Sequence, residues 1–193
     1  MANHEIRLRG WQTLQFRDAA AILTGYADVE RHPQLQQLPA KVRNLRTRDL
    51  KPLLELRQAA ILCYGVAQVL DVPVHLAQSE ADDYDFVAGY RIDGTIHYVP
   101  LQMKELVPSH LNGQATLQAE LDKLKAKYRS SRDLVVGVHI NRRVELVLNE
   151  LDLSDLNIGE LWLFGSDRPD GSEWFAVGNL LGASPKEVRF SIP

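Results

Sequence analysis

Apolar and polar positions change period along this chain, and each change marks an element. Around residues 16–23, Phe16, Ala20 and Leu23 recur on one helical face, with Gly25 expected to end the helix. His32-Pro33 is a break, because the residue before proline avoids helical backbone angles. A weaker helical pattern covers 34–45. Asp49 is expected to cap the next helix, with Pro52 tolerated in its first turn, and that helix stops at Leu70 before Pro73. From Ala59 onward its apolar residues surround most of the axis, so it should be buried against a sheet.

A short strand is expected at 72–77. A hairpin follows, with strands over about 83–92 and 95–104 joined by Asp93-Gly94, since Asp-Gly suits the positive φ angles of a type I′ turn. One hairpin face carries Val87, Ile96 and Tyr98. The other carries Phe86, Tyr90, Val99, Leu101 and Met103. A sheet apolar on both sides is covered on both sides, which predicts an α/β architecture. Pro100 removes one ladder donor and predicts a bulge or an edge. Pro108 and Asn112-Gly113 mark a loop. Leu117, Leu121, Leu124 and Tyr128 then form the stripe of a helix over about 115–128. The run 134–140 reads as an interior strand, 144–148 as a strand hairpinned to it through 141–143, and 161–164 with 174–177 as late antiparallel strands around the turn-rich loop 167–171.

The hairpin also gathers chemistry. With 93 and 94 at the turn centre, Asp85 opposes Gln102 and Asp83 opposes Lys104. All four share one face, because side chains alternate along a strand. A carboxylate, an amide and an amine at the open end of one hairpin are suited to a hard divalent cation with a lysine beside it.

Composition narrows the class. The chain has 193 residues, 45% hydrophobic and 24% charged, enough for a core without staples. A single cysteine, Cys63, excludes an internal disulfide and a zinc set, and its apolar setting predicts an inert buried thiol. The first residues carry no apolar leader, and the most apolar run, 59–70, is too short to span a bilayer. The expectation is a soluble cytoplasmic protein without a membrane role. Net charge is −3, but unevenly spread: 144–173 holds eight acids against Arg168 alone. Two basic runs, 41–51 and 123–132, are placed to meet phosphates or to form solvated helix faces. His139 is expected to be a satisfied core residue and His97 to sit at a core margin, while His110 lies in a loop within range of the candidate site. No Ser/His/Asp, P-loop, GxGxxG or HExxH arrangement is present.

Over about 49–140, the order helix, strand, hairpin bearing Asp85 and then Gln102-x-Lys104, helix, strand resembles the core of the PD-(D/E)XK nuclease superfamily. The resemblance implies a restriction-endonuclease-like αβββαβ core, a mixed sheet flanked by helices. To this the chain adds an N-terminal helical extension (1–48), with the core and C-terminal antiparallel strands over 49–193. It implies Asp85 and Gln102 as ligands of Mg²⁺ or Mn²⁺, Lys104 as the partner of the scissile phosphate, and Glu55 as an added acid from the first core helix. The implied activity is metal-dependent hydrolysis of phosphodiester bonds in nucleic acid, DNA ahead of RNA, with a homodimer as the usual device for cutting two strands. Two positions depart from the pattern. Tyr84 stands where the family has proline, and Gln102 stands where an acid is usual. The neutral amide leaves metal affinity to Asp85 and a second acid, from Asp83, Glu80 or Glu55. It also keeps open a non-catalytic module on the same fold, binding nucleic acid or protein. A third reading makes the acidic C-terminal strands a dimer surface.

Overall fold

The computed structural model describes residues 2–79 and 84–193, with side chains from residue 7 onward. Helix α1 (Ala2–Trp11) leads to a two-residue strand β1 (Arg17–Asp18) and helix α2 (Ala19–Glu30). Two single-turn helices, α3 (Pro33–Gln36) and α4 (Ala40–Arg43), precede the long helix α5 (Lys51–Leu70). Strands β2 (His75–Gln78), β3 (Phe86–Ile92) and β4 (Thr95–Leu106) follow, then α6 (Leu117–Lys127) and β5 (Ser131–Ile140). The chain ends with β6 (Ile158–Ser166), β7 (Trp174–Gly178) and β8 (Lys186–Phe190).

All eight strands join one mixed sheet in sequential order. β1 to β4 form an antiparallel meander, β4–β5 and β5–β6 are parallel, and β6 to β8 are antiparallel again. One core lies between α2, α5 and the face bearing Phe86, Leu101, Met103 and Phe164. The second lies between α6, Trp11 and the face bearing Val87, Val136, Val138 and Leu163. The interior strand β5 is apolar from Leu134 to Val138 for this reason: each of its faces is roofed there. Gly137 marks the closest approach of α5, where a Cβ would stand 2.4 Å from Leu62 Cδ2.

Local rules account for the elements that frame the hairpin. α5 runs through its apolar stretch to Leu70 and stops where Asp71 takes a left-handed φ of 55°, two residues before Pro73. Thr116 caps α6 by accepting the Ala119 N–H at 3.1 Å, and Leu117, Leu121 and Leu124 are buried as the stripe requires. Asp93 and Gly94 have φ of 49° and 78°, as the type I′ turn demands. The β3–β4 register runs unbroken from Phe86↔Leu101 to Ile92↔Thr95.

Of the bulge or edge expected at Pro100, the structure shows the edge: Pro100 pairs with Val87 in continuous register, and pairing of β4 with β5 begins only at Leu101. Several other expectations are corrected. Gly25 lies inside α2, which Asp18 caps through the Ala21 N–H at 3.0 Å. Asp49 sits in a 3₁₀ turn, Arg48–Leu50, and α5 has no side-chain cap. The pattern at 34–45 resolves into two separate turns rather than one helix. Residues 144–148 are not a strand. Arg142 is bonded to the carbonyls of Val107, Asn112 and Ala115, which turns the chain away from β5. β6 then returns parallel to β5, and a parallel neighbour needs a crossover rather than a hairpin. The N-terminal segment is built into the same sheet: β1 pairs with β2, Leu23 enters one core and Trp11 the other.

Gly137→Ala is expected to destabilise the protein by about 1–3 kcal/mol, because Leu62 is held in a packed core and cannot yield freely. Urea unfolding of the two chains measures the difference; an unchanged midpoint would show that α5 does not press on β5.

Candidate functional site

The hairpin register brings Asp85 and Gln102 together. Asp85 precedes β3 by one residue, and its N–H donates to the Leu101 carbonyl at 3.1 Å, extending the ladder. Its Oδ2 accepts from the Gln102 side-chain Nε2 and from the Met103 N–H at 3.1 Å. Gln102 is 5% exposed, and its Oε1 accepts the Tyr128 hydroxyl at 3.0 Å. The amide is thus fixed at both ends, as a buried polar group requires.

Lys104 leaves the same face two residues further along β4. It is half-buried, and burial followed by the nearby Lys127 charge lowers its pKa, with Lys51 adding to the effect. The carboxylates of Asp85 and Glu55 act the other way, so both stand within electrostatic reach of its amine. Glu55 also pairs with Lys51 at 3.3 Å, one turn earlier on α5. The hairpin therefore brings Asp85, Gln102 and Lys104 to one face, and Glu55 of α5 acts on Lys104 only through its charge. Asp83 and Glu80, the further acids expected there, lie outside the described residues. Among the described residues, no three His, Cys, Asp or Glu side chains gather at metal-ligating spacing.

A second polar cluster occupies the other face of β4, and the sequence reading did not find it. Glu105 takes both Arg46 guanidinium nitrogens and the Asn141 Nδ2 at 2.7 Å. Burial pushes the Glu105 carboxyl up, but those hydrogen bonds and the Arg46 charge outweigh it, leaving the pKa below the usual value. His139 lies 3.9 Å from the same carboxylate and takes a hydrogen bond from Gln58 at its Nδ1, 3.1 Å away. The ring stacks on Phe164 with centroids 5.0 Å apart. Burial holds the His139 pKa down at about 4, so the ring is neutral at pH 7, with its proton on Nε2. This is the satisfied core histidine expected from sequence. His97 is instead exposed and stacks on Tyr90 at 5.1 Å. Cys63 is buried, and burial pushes its thiol up to about 12, which leaves it inert.

The basic runs divide. Lys123 pairs with Glu120 and Lys125 with Asp152, so two of the five basic residues of the second run are neutralised on the helix face. The first run is split between α4, the Arg46–Glu105 pair and Lys51 near Lys104. The one signal in sequence for the second cluster was alternation itself: Glu105 must face away from Lys104.

Fold and site together define a mixed α/β protein with a polar cluster at the end of a sheet hairpin. No family model, curated protein sequence or solved structure matches the chain.

Tyr128→Phe leaves the buried Gln102 carbonyl without this donor and is expected to cost about 1–3 kcal/mol in urea unfolding. His139 gives a pH dependence whose sign is fixed. Its unfolded pKa is near 6.5 and its folded pKa about 4, so between them the unfolded chain binds more protons. Stability is expected to fall by up to about 3 kcal/mol as pH drops through that window. Unfolding midpoints at pH 4 to 7 should show a shallower slope for His139→Phe than for the unaltered chain; equal slopes would remove His139 as the cause.

Proposed function

We propose that the chain is a divalent-cation-dependent nuclease of the PD-(D/E)XK type, hydrolysing phosphodiester bonds of nucleic acid, DNA ahead of RNA. The observation that carries this reading is the convergence of Asp85, Gln102 and Lys104 on one sheet face, with Glu55 of α5 within electrostatic reach. The order α5-β2-β3-β4-α6-β5, with β4 and β5 parallel, supports it, because the αβββαβ resemblance implies a mixed sheet flanked by helices.

The donor set suits Mg²⁺ or Mn²⁺ if the Gln102 amide is turned. Its Nε2 now donates to Asp85; turned about, Oε1 would face the cation beside Asp85 and Nε2 would donate to the Tyr128 hydroxyl, which accepts as readily as it donates. Two protein ligands with the remainder water is ordinary for Mg²⁺. The bound cation would supply Lewis acidity and an acidified water. Lys104 would donate to a non-bridging phosphate oxygen, where negative charge grows during hydrolysis. Burial suits it to that task by stripping competing water from the ammonium group. Glu55 would complete the negative field that holds the cation, and Tyr128 would hold Gln102 in either orientation.

A second reading has its own observation. With the amide N–H turned to Asp85 and no acid trio among the described residues, the same fold serves as a non-catalytic nucleic-acid- or protein-binding module.

Plasmid and single-stranded oligonucleotides incubated with Mg²⁺ or Mn²⁺ separate the two. Cleavage is expected from the unaltered chain and should fall at least about 100-fold in Asp85→Asn and Lys104→Ala. Gln102→Glu, which adds the missing charge, is expected to raise metal affinity. Undiminished cleavage by Asp85→Asn would sink the nuclease reading, and no cleavage by any chain would favour the binding module.

A further inference from the structure

Away from Asp85, Gln102 and Lys104 lies a cleft of about 1480 Å³ that includes none of them. It opens beyond the ends of β4 and β5. Its walls are α4, the first half of α5, the loops after β4 and β5, and the β6–β7 loop. Eight basic side chains line it against five acidic ones. Half of the basic groups are already neutralised. Arg46 is bound to Glu105, Arg57 to Glu30, Arg168 to Glu173 and Arg189 to Asp167.

Four are not. Lys41 and Arg143 have no ion-pair or hydrogen-bond partner among the described residues, and both are exposed. Arg43 reaches only the neutral Gln36 carbonyl, at 3.5 Å. Arg142 spends its donors on backbone carbonyls, which leaves its charge uncompensated. Two acids in the lining, Glu145 and Asp170, also lack a cation within ion-pair distance among the described residues, so the unpaired balance is positive. His139 lines the floor of the cleft, with its Nδ1 occupied by Gln58.

We propose that this cleft is a binding site for oligophosphate anions, gripped between Lys41 and Arg43 of α4 on one wall and Arg143 on the other. A single small anion cannot meet two walls of a cleft this size, whereas a run of linked phosphates can. Guanidinium groups take phosphate oxygens in pairs, and the exposed lysine adds a mobile point charge. The volume exceeds the roughly 300–1,000 Å³ of most small-ligand pockets, as an extended ligand needs. Two sources share this chemistry: a free nucleoside polyphosphate and the backbone of a nucleic-acid strand. The site is separate from the Asp85 cluster and stands whether or not that cluster is catalytic.

Binding is measured in EDTA, so that cleavage does not interfere, with ATP and tripolyphosphate by calorimetry and a fluorescein-labelled 20-nucleotide strand by anisotropy. Arg43→Ala/Arg143→Ala is expected to weaken binding roughly tenfold or more and to flatten its salt dependence. Lys41→Ala should weaken it less. Arg168→Ala, in the same cleft but paired with Glu173, should change little. Binding of ATP and tripolyphosphate that the double variant loses identifies free polyphosphate as the ligand; loss confined to the oligonucleotide identifies the nucleic-acid backbone. The proposal fails if neither class binds, or if the double variant, both of whose sites are exposed, binds as the unaltered chain does. Cleavage by the Asp85 cluster is read in a separate assay, so either proposal can fall without the other.

Discussion

The register of one hairpin governs where the polar chemistry of this protein lies. Asp93 and Gly94 both adopt positive φ, and that turn sets every pair of β3 and β4 down to the Asp85 N–H bond with Leu101. A slip by one residue would turn Gln102 and Lys104 toward α5 and expose Leu101 and Met103 to the other layer. Because each face is roofed by its own helix and its own apolar cluster, such a slip would strand polar groups in both cores. The apolar pattern and the polar site thus enforce the same alignment.

β4 then works as a divider. Lys104 and Glu105 are neighbours in sequence but belong to different clusters on different faces. On one side Tyr128 from the end of α6 ties Gln102, and Gln102 ties Asp85. On the other, Arg46 and Asn141 saturate Glu105 while Gln58 of α5 holds His139. Every buried polar side chain among the described residues finds a partner, which is the condition for tolerating two such networks beside apolar cores. α5 touches both: Gln58 holds His139 directly, and Glu55 acts on Lys104 through its charge.

Much of this was legible along the chain because the signals were local. The Asp-Gly turn, the stripe of α6, the stop of α5 before Pro73 and the apolar run of β5 from Leu134 depend on neighbouring residues and on burial of whole faces. One expectation failed because a distant group intervened. The proposed strand at 144–148 lost to Arg142, whose guanidinium binds carbonyls of the 107–115 loop. Gly25 did not end α2, because with nothing packed against it the helix runs on to the stop imposed by Pro33. At Pro100 the edge alternative held, because β5 has not yet joined β4 at that point.

The sequence by itself determined the long helix α5, the helix α6, the hairpin, its register and the shared face of Asp85, Gln102 and Lys104, since strand alternation and turn chemistry are short-range. Only the tertiary structure decided that Tyr128 would hold Gln102, that Arg46 would be drawn into an ion pair with Glu105, and that Lys41 and Arg143 would face one cleft without carboxylate partners. Those outcomes depend on where separate elements meet in space. A side chain's partner there is chosen by burial and by the need to satisfy charge, neither of which is written in the spacing of residues along the chain.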